Sequence, residues 1–142
     1  MAIDGKTDAD ITRILEETRT IAVVGASQNP ARAVYGVMGF LIGRGYEVYP
    51  INPGLAGQEL QGRTVYASLA DVPAEIDMVD VFRNSEAAGD TVDEALALAV
   101  LPKTIWLQLG VINEAGFDRA EAKGVKVVMD RCPAIEGPRL GV

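Results

Sequence analysis

Runs of apolar residues alternate along the chain with segments whose apolar positions recur at helical spacing. Thr7–Thr18 reads as a helix: Thr7 or Asp8 caps it, Asp8 and Asp10 sit at its positive end, and Ile11, Ile14 and Leu15 form one stripe. Ile21-Ala22-Val23-Val24 is continuously apolar and stops at Gly25, as a strand buried on both faces does. Asn29 followed by Pro30 predicts a helix start. Val34, Val37, Met38, Leu41 and Ile42 then keep the i, i+3, i+4, i+7, i+8 pattern until Gly43 to Gly45.

The same alternation continues. Glu47–Ile51 is a second strand, closed by Asn52-Pro53-Gly54, and Arg63–Ala67 a short third one, followed by a helical turn at Ser68–Asp71. Met78–Phe82, Thr104–Leu109 and Val125–Met129 complete six predicted strands. Between them lie helices over Ser85–Val100, capped by Ser85, and Asn113–Lys123, closed by Gly124. Strands alternating with helices predict an α/β fold: a doubly wound, mostly parallel sheet of about six strands with helices on both faces, which is Rossmann-like.

The 142 residues are the length of a single domain, expected over 1–142, and a chain of this size buries roughly 68–70% of its unfolded surface. With 49% hydrophobic and 23% charged residues, neither disorder nor a fibrous class fits. A net charge of −7 repels nucleic acid and anionic membranes while leaving room for local binding of a small anion. No apolar run approaches the length of a membrane span, and the acidic start MAIDGKTDAD does not resemble a signal peptide, so the expected location is the cytoplasm.

Composition restricts the chemistry sharply. There is no histidine, which excludes Ser-His-Asp and Cys-His catalysis, histidine-ligated zinc and a phosphohistidine intermediate. The single cysteine, Cys132, rules out an internal disulfide. These exclusions favour a binding role over a catalytic one.

In doubly wound sheets the ligand lies outside the carboxyl ends of the strands, where the strand order reverses, normally just after the first strand. Here that segment is Gly25-Ala26-Ser27-Gln28-Asn29-Pro30: Gly25 permits a tight turn, Ala26 and Ser27 let a ligand approach the backbone, and the helix from Pro30 offers N–H groups to a diphosphate. It is neither G-x-G-x-x-G, nor a Walker A loop, nor a nucleophile elbow. The second strand ends in Asn52-Pro53 without the acid that would hydrogen-bond an unphosphorylated ribose; this favours coenzyme A (CoA) or NADP over NAD. Arg32 and Arg83 are the arginines expected at this edge.

Five segments carry a family resemblance: Val23-Val24-Gly25-Ala26-Ser27 with Pro30; Gly45-Tyr46-Glu47-Val48-Tyr49-Pro50-Ile51-Asn52-Pro53; Asp80-Val81-Phe82-Arg83; Trp106-Leu107-Gln108-Leu109-Gly110-Val111; and Asp130-Arg131-Cys132-Pro133 with Glu136. Together they resemble the small stand-alone CoA-binding proteins of bacteria and archaea, over residues 12–140. The resemblance implies a fold similar to the nucleotide-binding part of the succinyl-CoA synthetase alpha subunit. It implies that Gly25, Ala26 and Ser27 with the following helix hold the diphosphate, that Asn52 and Pro53 border the adenosine, and that Phe82, Arg83 and Ser85 form the opposite wall. The Trp106–Val111 segment with Gly110, and the segment around Cys132, then lie towards the pantetheine. Three residues beyond the sixth strand, Cys132 is either within reach of a CoA thiol, to form a mixed disulfide, or a small buried hydrophobe with no redox role. The expected ligand is CoA or an acyl-CoA, bound without catalysis by this chain. The alternatives are an NADP-dependent oxidoreductase and a CoA-binding subunit that completes an acyl-CoA ligase or transferase; a protein partner or homo-oligomer fits either binding role.

Overall fold

In the computed structural model, which describes residues 2–142, the strands β1 (Thr20–Val24), β2 (Glu47–Ile51), β5 (Met78–Val81), β6 (Thr104–Leu107) and β7 (Lys126–Val128) form one parallel sheet in the order β2-β1-β5-β6-β7. Five strands, rather than six, share it. The expected third strand is only β4 (Arg63–Thr64), which pairs antiparallel with β3 (Glu59–Leu60) in a separate hairpin. The turn between them places Gln61 and Gly62 at φ 50° and 79°. Of Arg63–Ala67 only Val65 is fully buried, so the segment lacks the two apolar faces of a central strand. Tyr66 reaches β2 by a single bridge, to Ile51.

Helices α1 (Asp8–Glu17), α2 (Ala33–Gly43) and α5 (Pro133–Leu140) cover one face; α3 (Ser85–Leu96) and α4 (Glu114–Ala122) cover the other. The period-2 alternation of the strands divides the core accordingly. Ile21, Val23, Met78, Trp106 and Val128 pack under α1, α2 and α5, whereas Ala22, Val79, Ile105 and Val127 pack under α3 and α4.

Helix boundaries follow local chemistry. Thr7 and Asp10 form a reciprocal capping box on α1; Asn84, rather than Ser85, caps α3, and Asn113 caps α4. Helix α3 stops at Leu96, short of the expected Val100. Helix α5 is absent from the periodicity because Pro133, Gly137 and Pro138 occupy it. Gly137 is nonetheless buried against Phe40 of α2, where a Cβ would stand 3.8 Å from the ring.

Candidate functional site

The chain passes from β1 to β2 on one side and then to β5 on the other, so the strand order reverses between the carboxyl ends of β1 and β5. Gly25 occupies that point. Its φ is +88° and a Cβ would lie 2.3 Å from the Phe82 carbonyl oxygen, so both conformation and space demand glycine. The Gly25 and Ala26 N–H groups both donate to the Ile51 carbonyl at 3.2 Å, and Asn52 Nδ2 donates to the Ala26 carbonyl at 2.8 Å. These bonds clamp the exits of β1 and β2 together. Asn52 Oδ1 accepts from Gly54 N–H, which leaves Pro53 as the exposed surface of that turn.

Beyond Ala26 the segment is a series of side-chain-capped turns. Ser27 Oγ accepts from Asn29 N–H at 3.1 Å, Asn29 Oδ1 from Ala31 N–H at 3.0 Å, and the Asn29 carbonyl from Arg32 N–H at 3.0 Å. Asn29-Pro30 therefore makes an Asx turn rather than the helix start; α2 begins at Ala33 with Arg32 as its N-cap, and Arg32 gives no side-chain cap. Among the described residues, the N–H groups of Ser27, Gln28, Ala33 and Val34 have no hydrogen-bond partner in the chain. Among the described residues, helix α2 is also the one α-helix with no acidic residue in its first turn; the others carry Asp8 and Asp10, Glu86, Glu114 or Glu136. No carboxylate of its own first turn opposes its dipole.

The opposite wall comes from β5 and α3. Phe82 is half-buried in the α2 face; Arg83 is exposed, its Nη1 donating to Thr91 Oγ1 at 3.2 Å. Ser85 is tied to the β6 exit: Oγ accepts from Ile112 N–H at 3.0 Å and donates to the Gly110 carbonyl at 3.4 Å. Gly110, at φ +78°, donates to Asp130 Oδ1 at 2.7 Å, which joins the exits of β6 and β7. Cys132 is buried at the N-cap of α5. The predicted residues thus share the carboxyl edge of the sheet, with Cys132 three strands from Gly25.

Two polar groups near this edge stand in the segments that carry the resemblance but were singled out for no individual role. Asp80, on the face of β5 that α1, α2 and α5 cover, is fully buried with neither carboxylate oxygen hydrogen-bonded, and burial pushes its carboxyl well above the usual range. Gln108, after β6 on the same face, is buried with Oε1 unpartnered. An acid within the apolar run Met78–Phe82 was the available signal.

A second cluster, at the end of β7, binds the chain's two extremities together. Asp4 is buried and accepts from Arg131 Nε at 2.9 Å, Lys6 N–H at 2.9 Å and Met129 N–H at 3.1 Å. Arg131 Nη1 also donates to Glu136 Oε1 at 2.7 Å. Burial acts to raise both carboxyls, but these bonds, with Arg139 on Glu136, hold them below their ordinary values. A cavity of about 510 Å³ lies at the opposite, amino edge between Ile76 and Val100; its charged groups are Glu75 and Glu94, a poor setting for an anion.

A Rossmann-like sheet, a glycine required at its switch point and a helix N-terminus without an acid in its first turn meet at this edge, and the family model for the CoA binding domain matches residues 19–138. The chain belongs to the CoA-binding domain family. It is 36% identical to the uncharacterized protein YneT of Bacillus subtilis (strain 168) over 124 residues, covering 87% of this chain and 89% of that protein. A hypothetical protein of Pyrococcus horikoshii OT3 superposes with a TM-score of 0.92 at 37% identity, covering 100% of this chain and 97% of the other. The domain also matches the acetate–CoA ligase (ADP-forming) I subunit alpha of Pyrococcus furiosus, at 41% identity over 77% of this chain. That match spans 23% of the ligase subunit, so this family member corresponds to a portion of it. No described helix is long and apolar enough to cross a membrane.

Proposed function

We propose that the protein binds CoA or an acyl-CoA across the carboxyl edge of its sheet. The observation that carries this is the start of α2: an uncapped, acid-free helix N-terminus that follows the turns after the switch-point glycine in a chain of net charge −7. The diphosphate takes the open N–H groups of Ser27, Gln28, Ala33 and Val34, while Gly25 and Ala26 supply room rather than donors. Arg32 and Arg83 serve the remaining phosphate charge, Pro53 borders the adenosine with Asn52 holding its turn in place, and Phe82 and Ser85 form the facing wall. The arm then runs over Gly110 towards Cys132.

Thermal melting tests this. CoA at about a hundred times its dissociation constant adds roughly 2.7 kcal/mol and raises Tm visibly. A shift with NADP and none with CoA would refute the proposal. The similarity to a ligase alpha subunit supports a second role, as the CoA-binding part of a ligase assembled with another chain. Copurification of a partner from the native host separates that role from a free-standing binder.

A further inference from the structure

At the far end of the same edge lies a cavity of about 420 Å³, walled by Leu109 after β6, Met129 and Cys132 after β7, Ile135 on α5 and Ile3 of the N-terminal segment. Three of the five exposed large hydrophobic side chains among the described residues stand around it: Ile3 at 59%, Leu109 at 56% and Ile135 at 52%. Apolar groups gathered at the mouth of a cavity mark a place for apolar matter.

The cavity lies within reach of the site described above. From β1 to β7 are three strand spacings of about 4.8 Å, or roughly 14 Å. A pantetheine arm, built of amide-linked units, spans about what four extended residues do, roughly 13–14 Å. Gln108 stands along that path with a buried Oε1 that lacks a donor, and an amide N–H of the arm is such a donor.

The bordering charges restrict what the far end accepts. Arg131 is already held by Asp4 and Glu136, and its Nη2 also donates to the Lys6 carbonyl at 3.0 Å. Asp130 and Glu136 line the cavity as carboxylates. A ligand ending in its own carboxylate meets two negative groups and no free guanidinium, whereas an aliphatic chain meets Ile3, Leu109 and Ile135.

We infer that this cavity receives the acyl group of an acyl-CoA and selects an uncharged aliphatic chain over a dicarboxylic one. The inference rests on the CoA reading and adds the acyl class. Calorimetric titration of wild type and Ile135→Glu with CoA, hexanoyl-CoA and succinyl-CoA tests it; Ile135 is exposed in the first turn of a helix, where an added acid leaves folding intact. For wild type, hexanoyl-CoA is expected to bind about tenfold more tightly than CoA, the effect of burying about two methylenes, and succinyl-CoA no more tightly than CoA. In Ile135→Glu the ratio of hexanoyl-CoA to CoA affinity falls towards one. Equal affinities in wild type, or a ratio unmoved by the substitution, overturn the acyl assignment while the CoA reading stands. A wild-type dimer in sedimentation that Ile135→Glu disperses, together with equal affinities, overturns it by assigning the patch to a second copy of the chain. Failure of all three ligands to bind overturns the CoA reading itself.

Discussion

The two ends of the sheet's carboxyl edge treat charge in opposite ways. At the β1 end the chain leaves backbone N–H groups open, places no acid in the first turn of α2, and clamps the strand exits with Asn52 and the Ile51 carbonyl. At the β7 end it supplies a largely buried cation, Arg131, and saturates it with Asp4 and Glu136. On the proposed reading, a chain of net charge −7 holds a polyanion with unspent backbone donors and a helix dipole, whereas a guanidinium surrounded by carboxylates fastens the two ends of the chain.

The largest effect is expected at the first end. Gly25→Ala forces a Cβ against the Phe82 carbonyl in a backbone conformation that alanine avoids, and should destabilise by about 4 kcal/mol or more by denaturant titration. An unaltered midpoint would mean that the β1 and β5 exits are free to separate. Next comes Arg131→Ala, which leaves Asp4 buried without its cation and Glu136 with Arg139 alone, and should cost about 3 kcal/mol. The depressed Asp4 and Glu136 carboxyls contribute stability above their ordinary values, and that contribution disappears as pH falls through the folded values. Wild type should therefore lose stability in acid, and Arg131→Ala should lose less of it.

Asp80 has the reverse sign. Its raised carboxyl keeps a proton in the fold that the unfolded chain releases, so stability declines as pH rises above the ordinary aspartate value, by up to about 1.4 kcal/mol per pH unit. Asp80→Asn should flatten that slope in melts between pH 5 and 8. An unchanged slope would place the titration elsewhere. Smaller still, Arg83→Ala should weaken CoA binding by about 1.5–3 kcal/mol with little change in apo Tm, since its side chain is exposed with one contact, to Thr91. Equal affinity would leave Arg32 as the side-chain cation.

Much of this was legible locally. Apolar runs of four residues and helical stripes located the five strands and four of the five helices, because burial on both faces leaves a continuous signature. Arg63–Ala67 misled because β propensity without a second apolar face makes only a hairpin edge. Helix α5 escaped because its prolines and glycine suit a loop equally well, and its packing on Phe40 is a tertiary fact. At the site, glycine at the switch point was readable, but the three-residue delay before α2 was not, since Asn-Pro serves an Asx turn as well as a helix start. Asp4 and Arg131 are 127 residues apart, and no local pattern announces such a pair.

Calorimetric titration of CoA into wild type, Ser27→Ala and Ser27→Glu tests the central claim most directly. Ser27 lies where the open N–H groups begin, and its Oγ makes one bond, to Asn29. Ser27→Ala should cost about 1 kcal/mol of binding, because one hydroxyl is lost and the backbone donors remain. Ser27→Glu should abolish measurable binding, because its carboxylate occupies the dipole end that the diphosphate requires, while the fold is retained. CoA affinity preserved in the glutamate variant would contradict the account and place the ligand away from the start of α2.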